Sequence, residues 1–297
     1  MAARGVRAGA LAAVLGVVLV LAGCGSPQQE AAFAVRHTPT PTVSPTPPPT
    51  TPPPATPSPT PKPKTTLRST APAGVDGGGG GGGTSSDGVP SIGNGTFAAA
   101  PGGTSVVGSG STLVRYRVEL ENGITWGSNP VWTPDSFAAA ADAVLADPKG
   151  WIASADHPIT DAAQHMNGAS WSFQRVSGTD YSVRILLATP GTVDKMCGSI
   201  GLKTLGQYSC RYSNIILINL RRWLRGAPGF PIDLAGYHTM VINHEMGHQL
   251  GFKHMLCPSP GTLAPVMMQE TINIGGCLPN IYPFAPDGTF VDGPYAP

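Results

Sequence analysis

The sequence predicts a single α+β domain between residues 108 and 297 of the 297-residue chain. Three observations support this fold class. Strand-like and helix-like segments are mixed along this range, which is typical of α+β folds. The range contains no internal repeat. A proline-rich run at 38–63 and a glycine run at 77–83 both lie before it, and such runs cannot build a core.

The first predicted elements of the domain are a strand and a helix. Residues 114–120 alternate apolar and polar side chains, which is typical of a half-buried strand. Thr133 precedes Pro134 and an alanine-rich run that continues to Leu145. A hydroxyl that can cap, followed by proline in the first turn, predicts that a helix begins there.

The central part of the domain is predicted to contain further strands and a second long helix. Residues 171–176 and 181–188 flank a Ser-Gly-Thr-Asp turn sequence, so we expect them to form a β-hairpin. Residues 214–220 have the pattern of another apolar strand. Asp233 stands where the N-cap of the next helix is expected, because its carboxylate can accept a hydrogen bond from a first-turn N–H.

Two histidines four residues apart on this helix, His244 and His248, predict a metal site. Residues at this spacing lie one above the other, roughly 6 Å apart, so both imidazoles can reach one ion. Tyr237 and Val241 continue the same stripe, which makes this the inward face of the helix. Glu245 projects to the side, where it can contact a metal-bound water without being a ligand.

A third histidine, His254, can join the site only if the helix ends before it. In a continued helix it would lie about 9 Å further along the axis from His248. Gly251 can adopt the left-handed conformation that terminates a helix and turns the chain back. We therefore expect Gly251 to end the helix and His254 to complete a three-histidine site.

Residues 244–254 match the pattern H-E-x-x-H-x-x-G-x-x-H at all five fixed positions, and thereby resemble the metzincin zinc peptidases. Metzincins also have a methionine turn whose side chain forms an apolar floor under the metal. The sequence 264–268 resembles that turn, so the role passes to Met267, with Met268 as the alternative. The resemblance implies a zincin fold with a mixed sheet, an active-site helix and an irregular C-terminal subdomain.

The resemblance further implies a catalytic mechanism. One zinc ion lowers the pKa of a bound water, Glu245 accepts its proton as general base, and the peptide bond of an extended substrate is hydrolysed. Copper, iron and nickel also suit three imidazoles, but a neighbouring glutamate favours the redox-inert Lewis acid. The alternative function is a non-catalytic surface module that zinc stabilises and whose cleft binds a partner.

The sequence also resembles a narrower family, and it differs from the metzincin pattern in two respects. The sequences 241–244, 257–258 and 276–280 resemble an uncharacterised actinobacterial family of exported metzincin-like lipoproteins. Many metzincins have a tyrosine two residues after the turn methionine, whereas Gln269 and Glu270 follow here, so that helper is absent unless Tyr282 or another residue substitutes. No inhibitory propeptide with a free cysteine is recognisable.

The chain contains five cysteines, of which four lie in the predicted domain. An even number in an oxidising compartment predicts two disulfides, with three possible connectivities. We favour the sequence-local pairs Cys197–Cys210 and Cys257–Cys277. A four-thiolate zinc site is disfavoured because no pair has the short spacing that such sites use.

The N-terminus predicts export. Two arginines precede an apolar run from 8 to 22, which is short for a membrane span. The run ends in Leu-Ala-Gly-Cys24, which resembles the lipobox of bacterial lipoproteins and implies cleavage of residues 1–23 and acylation of Cys24. An ordinary secretory signal is the alternative. Residues 24–107 are then predicted to form a disordered tether.

Charge and composition narrow the class of partner. Lys plus Arg (18) nearly balances Asp plus Glu (17), so nothing favours nucleic acid. We expect a monomer that acts on extracellular protein or cell-wall peptide. We expect it to be held at the outer face of the bacterial cell membrane through the lipid on Cys24.

Overall fold

A computed structural model describes residues 83–228, 230, 232–269 and 272–297. The predicted signal peptide, the predicted lipidation site Cys24 and the predicted tether as far as residue 82 lie outside the described residues. None of the helices in the described ranges has both the length and the apolar character that crossing a membrane requires.

The described residues form an α+β fold with a mixed sheet, which confirms the predicted α+β class. The strands are β1 (Phe97–Ala99), β2 (Thr112–Glu121), β3 (Ile159–Asp161), β4 (Met166–Ala169), β5 (Trp171–Arg175), β6 (Val183–Ala188), β7 (Cys210–Tyr212) and β8 (Ile215–Asn219). The α-helices are α1 (Pro134–Leu145), α2 (Pro190–Gly198), α3 (Leu220–Arg225) and α4 (Leu234–Leu250). Strands β3 and β4 pair with each other in a separate two-stranded sheet.

The main sheet is mixed and has six strands. Five of them follow the order β1-β2-β6-β8-β7, and β5 also pairs with β2. Strands β2, β5, β6 and β8 are parallel, whereas β1 and β7 run antiparallel to their neighbours. Strand β7 forms one edge of this sheet and pairs with β8 among the described strands.

The predicted hairpin between residues 171 and 188 is wrong, although both of its strands exist. Strands β5 and β6 both run parallel to β2, and Tyr116 is opposite a residue of each, so they lie on its two different edges. The intervening loop passes from one edge of β2 to the other without reversing the chain. Val176 N donates to Tyr116 O, and Ser182 N donates to Arg115 O on the opposite edge. A turn-forming sequence marks both kinds of loop, so local sequence does not distinguish them.

The two faces of the sheet bury different clusters. The alternating apolar residues of β2, Val114, Tyr116, Val118 and Leu120, are all buried in the main core with residues of α1 and α4, as their pattern predicts. Residues of β6 and β8 on the other face pack against α2 in a smaller cluster. The long helix α4 is therefore held against the sheet by the main core.

The helix ends follow their predicted caps. The Thr133 hydroxyl accepts a hydrogen bond from Ser136 N at 3.1 Å at the start of α1. The Asp233 carboxylate accepts one from Gly236 N at 2.7 Å at the start of α4. Gly251 follows α4 with a φ of 111°, the left-handed region that terminates helices.

The folded domain begins before the predicted boundary at residue 108. Strand β1 pairs with β2, and Val89 and Ala100 are buried. The buried carboxylate of Glu121 accepts a hydrogen bond from Gly95 N at 2.9 Å, which fixes the preceding segment to the end of β2. A three-residue strand between glycine-rich segments has no periodic pattern, so the sequence did not reveal this part of the domain.

After α4, the described residues 252–269 and 272–297 contain no further helix or strand. Isolated bridges hold this region together, and Met255 pairs with both Met268 and Tyr295. The disulfide Cys257–Cys277 closes one loop of it, and Cys197–Cys210 joins the end of α2 to β7. Both pairs are the sequence-local ones that we favoured.

Candidate metal centre

Helix α4 presents His244 and His248 side by side. The two residues are one turn apart on the same face, and their ring centroids are 4.7 Å apart at nearly a right angle. This face is directed inward, as the stripe with Tyr237 and Val241 predicts, because all four side chains line one cavity. His244 is buried and His248 is half-buried, so both imidazoles are partly shielded from solvent.

The chain reversal at Gly251 brings His254 to the same point. Nε2 of His254 lies 3.1 Å from Nε2 of His248. One ligand atom from each of the three histidines, His244 included, lies within 4.8 Å of the other two. In the described part of the chain, no other group of three metal-ligating side chains converges in this way.

Backbone carbonyls orient two of the three rings. Nδ1 of His244 lies 2.8 Å from Val266 O, and Nδ1 of His248 lies 2.9 Å from Phe252 O. A carbonyl oxygen can only accept, so both Nδ1 atoms must carry the proton. The lone pair of each ring is then on Nε2, the atom that faces the other histidines.

The cluster favours neutral imidazoles. Burial lowers the pKa of His244 well below its usual value, and the neighbouring His248 and His254 lower it further. Burial lowers the pKa of His248 to about 4, and it also lowers the pKa of His254. Neutral imidazole is the form that binds metal, so the trio is ready to act as ligands at neutral pH.

Glu245 lies in the wall of the same cavity with 5% of its surface exposed. No described residue donates a hydrogen bond to its carboxylate. Burial raises the pKa of Glu245 to about 8, whereas the positive charge of Arg211 lowers it. A cation held by the three imidazoles would act in the same direction as Arg211.

Met267 lies beneath α4 and is completely buried. A Cβ atom placed on Gly247, in the turn between the first two histidines, would lie 2.2 Å from Met267 Sδ. The absence of a side chain at Gly247 therefore lets the methionine pack directly under the histidine-bearing helix. Met267 O accepts from Met255 N at 3.0 Å, which ties this turn to the residue after His254. Met268 packs in a separate cluster with the Cys257–Cys277 disulfide.

The three histidines and Glu245 line a cavity of about 720 Å³. Its walls come from α4, from β7, from the loop that the Cys197–Cys210 disulfide closes, and from the segment after Met267. The lining residues are Leu202, Lys203, Thr204, Tyr208, Ser209, Cys210, Arg211, Tyr237, Met240, Val241, His244, Glu245, His248, Gly251, Phe252, Lys253, His254, Met268, Gln269 and Ile272. The cavity is large enough for several residues of a peptide.

A protein-family profile with the description "Protein of unknown function (DUF3152)" matches residues 84–293, which is 210 of the 297 residues. The chain belongs to the DUF3152 family. No curated protein and no solved structure matches it. The DUF3152 match spans all the strands and helices described above, together with the three histidines, so the cavity belongs to the family's domain.

Sequence reasoning missed part of this DUF3152 cavity. Arg211, on the three-residue strand β7, lies in the wall beside Glu245, and its Nε donates to Gln249 Oε1 at 3.1 Å. A strand this short has no periodicity to predict its orientation. The position of Arg211 directly after Cys210, whose disulfide partner ends α2, was the available signal.

Tyr282 does not line the cavity of the DUF3152 domain. Its hydroxyl donates to Asp147 Oδ2 at 2.9 Å, and Lys149 Nζ lies over its ring, 3.9 Å from the centroid. The tyrosines that do line the cavity are Tyr208 and Tyr237. Tyr237 is buried, and burial raises its pKa, so its hydroxyl stays protonated.

Proposed function

We propose that the protein is a zinc-dependent peptidase with a metzincin-like catalytic domain. The observation that carries the proposal is the convergence of His244, His248 and His254 beside the buried carboxylate of Glu245 in one open cavity. The order of these groups along the chain is that of the metzincin motif. The α+β fold, with α4 under the edge of a mixed sheet, is compatible with that assignment.

The donor set fits zinc. Tetrahedral zinc with Zn–N bonds of about 2.0–2.1 Å requires imidazole nitrogens about 3.3–3.4 Å apart. The 3.1 Å separation of the His248 and His254 Nε2 atoms is close to this value. Zinc held by the three imidazoles would supply Lewis-acid chemistry, activating a water and polarising the substrate carbonyl.

The chain's own residues have distinct roles in the proposed reaction. Glu245 accepts a proton on its carboxylate from the attacking water and returns it to the amine of the leaving peptide. Burial raises the pKa of Glu245, whereas the positive charge of Arg211 lowers it, and a bound cation would lower it further and so favour the carboxylate form that accepts the proton.

The substrate is proposed to lie along β7. This strand is at the edge of the sheet and borders the cavity through Cys210 and Arg211. A sheet edge offers backbone N–H and C=O groups that pair with an extended peptide. A peptide added there would cross the cavity next to the histidines of α4.

A non-catalytic binding module is the competing function, and Glu245 argues against it. A buried carboxylate with no hydrogen-bond donor among the described residues is destabilising. A module that used zinc for stability alone would have no need of an acid at this position. A peptidase needs a proton acceptor there.

We also propose that the protein is exported and held at the membrane through a lipid on Cys24. The support is the sequence Leu-Ala-Gly-Cys24 at the end of the apolar run. Two disulfides in the described domain are compatible with an oxidising compartment.

A cleavage assay tests the enzymatic proposal. The zinc-loaded full chain is incubated with a mixed peptide library, and the cleavage products are identified by mass spectrometry. We expect cleavage that a chelator abolishes and that Glu245→Gln reduces by at least about a thousandfold, since the proton acceptor is lost. Bound zinc without cleavage in any pool would favour the binding module.

A further inference from the structure

The cavity has an excess of positive charge. Lys203, Arg211 and Lys253 line it and come from three different segments of the chain. Among the described lining residues, Glu245 is the one acid. Lys203 and Lys253 are exposed at its rim, whereas Arg211 is partly buried, so its charge is less screened by solvent.

Arg211 differs from the other arginines in its hydrogen bonds. In each of the seven other arginines of the described ranges, at least one terminal nitrogen donates to a protein oxygen. Arg211 uses Nε alone, which donates to Gln249 Oε1. Its two terminal nitrogens have no partner among the described residues, and no described carboxylate forms an ion pair with it.

The position of Arg211 directs its charge to the reacting groups. It is opposite Ile216 of β8, whose side chain faces the main core, so Arg211 lies on the same face of the sheet as α4. Gln249 fixes its Nε against that helix. Arg211, Glu245 and His248 line the same cavity, so a ligand bound there can contact all three.

A guanidinium with two free terminal nitrogens is suited to one kind of ligand. The planar fork matches the two oxygens of a carboxylate, and such pairs are among the strongest hydrogen bonds in proteins. Arg211 is held through Nε, and neither terminal nitrogen has a partner among the described residues, so the guanidinium can offer both to a ligand in the cavity that it lines.

We propose that the cavity selects peptides that carry a carboxylate close to the scissile bond, and that Arg211 is the specificity residue that binds it. This inference rests on the proposed function, because it names the class of peptide that the same site accepts. The carboxylate comes from an Asp or Glu side chain or from the C-terminus of the peptide. Lys203 and Lys253 add a longer-range attraction for the same charge.

Peptide binding tests this without turnover. The zinc-loaded full-length Glu245→Gln variant is titrated with dye-labelled hexapeptide pools that place one Glu at each position. Matched pools place Gln instead, and every pool is made both as free acid and as C-terminal amide. We expect carboxylate-bearing peptides to bind about tenfold to a hundredfold more tightly, the range of a hydrogen-bonded charge pair.

Variants of Arg211 test whether this residue causes the preference for carboxylate-bearing peptides. Adding Arg211→Gln should make the affinities for acidic and matched neutral peptides nearly equal. Arg211→Lys should retain part of the preference for acidic peptides, because the charge remains but the planar fork is lost. Arg115→Gln is the matched control, since Arg115 pairs with Asp180 outside the cavity. Zinc content and the melting temperature are measured for each variant to verify that the fold is intact.

The arms of the experiment separate the outcomes. A preference that follows internal Glu identifies a side-chain carboxylate, and one that follows the free acid identifies a terminal carboxylate. Equal affinities, a preference that survives Arg211→Gln, or an equal loss for acidic and neutral peptides would each overturn the proposal. Hydrolysis by the wild-type chain is scored separately: cleavage without preference rejects this inference alone, whereas an Arg211-dependent preference without cleavage rejects the peptidase and leaves Arg211 as the carboxylate-binding residue of a binding module.

Discussion

The backbone carbonyls of Val266 and Phe252 set which nitrogen of two histidine rings is left for the metal in the proposed zinc site. They bind Nδ1 of His244 and His248 and leave Nε2 for the metal. The ligands themselves were predictable, because the motif is contiguous and its spacing is geometric. The two carbonyl partners were not predictable, since the sequence does not show that Val266, next to the predicted methionine turn, lies against His244.

Replacement of Gly247 tests the packing of Met267 under helix α4. A Cβ there would lie 2.2 Å from Met267 Sδ and 2.8 Å from Trp151 Cζ2. We expect Gly247→Ala to lower the free energy of unfolding by about 1–3 kcal/mol, the range of overpacked cores, and to weaken zinc binding. Denaturant unfolding and zinc titration measure the two effects.

Gly198→Ala is the matched control, because a Cβ at this helical glycine of α2 meets nothing within 4 Å. We expect that variant to be as stable as the wild type or slightly more stable, since alanine favours helix. Equal stability of Gly247→Ala and Gly198→Ala would contradict the packing described for Met267.

At the scale of elements, sequence patterns were reliable where an element is long and failed where it is short. The alternation in β2 and the caps of α1 and α4 appear in the structure at the predicted residues. Strands β1 and β7, of three residues each, carry no pattern, and tertiary pairing alone specifies them. The connection between β5 and β6 was mistaken for a hairpin because its turn residues do not encode which edge of β2 receives the next strand.

The C-terminal segment, residues 293–297, holds the loop that contains His254. Ala296 N donates to His254 O at 2.8 Å, and Leu256 N donates to Pro294 O at 2.7 Å. Tyr295 contributes a hydroxyl contact with Asp161. The segment thus holds the loop that brings His254 to the site, in the way that outer-shell groups position metal ligands.

Deletion of residues 293–297 tests this support. We expect zinc affinity to fall on the order of tenfold, because His254 loses its backbone anchor while the other two ligands remain on α4. Competition with a fluorescent chelator measures the affinity. Tyr295→Phe keeps both backbone bonds and removes only the hydroxyl contact, so it should bind zinc more nearly as the wild type does. Unchanged affinity in the deletion would show that the loop needs no such anchor.

At the scale of the whole molecule, the sequence predicted the class of fold but placed the start of the domain too late. Residues 83–107 contribute β1, the buried Val89 and the contact with Glu121. Their glycines resembled a linker, and the partner that orders them, Glu121, is distant in sequence. Glycine content alone therefore gave the wrong prediction for residues 83–107, which belong to the folded domain.

The predicted lipid on Cys24 is a whole-molecule property that a single substitution tests. We expect the wild-type chain to take up radiolabelled palmitate and to fractionate with membranes in a bacterial host. Cys24→Ala should lose the label and appear in the soluble exported fraction or as the uncleaved precursor. Cys210→Ala, which alters a cysteine that the structure places in a disulfide, is the control and should keep the label. Equal labelling of Cys24→Ala and the wild type would contradict the lipoprotein assignment.

The proposal that one zinc ion and Glu245 together hydrolyse peptides is tested by a zinc titration. The metal-stripped full chain is titrated with zinc while bound metal and hydrolysis of a library-derived peptide are recorded on the same samples. We expect hydrolysis to rise in proportion to bound zinc and to saturate at one ion per chain, while Glu245→Gln binds the same single ion and remains inactive. Saturation with zinc that brings no hydrolysis, or full hydrolysis by Glu245→Gln, would contradict it.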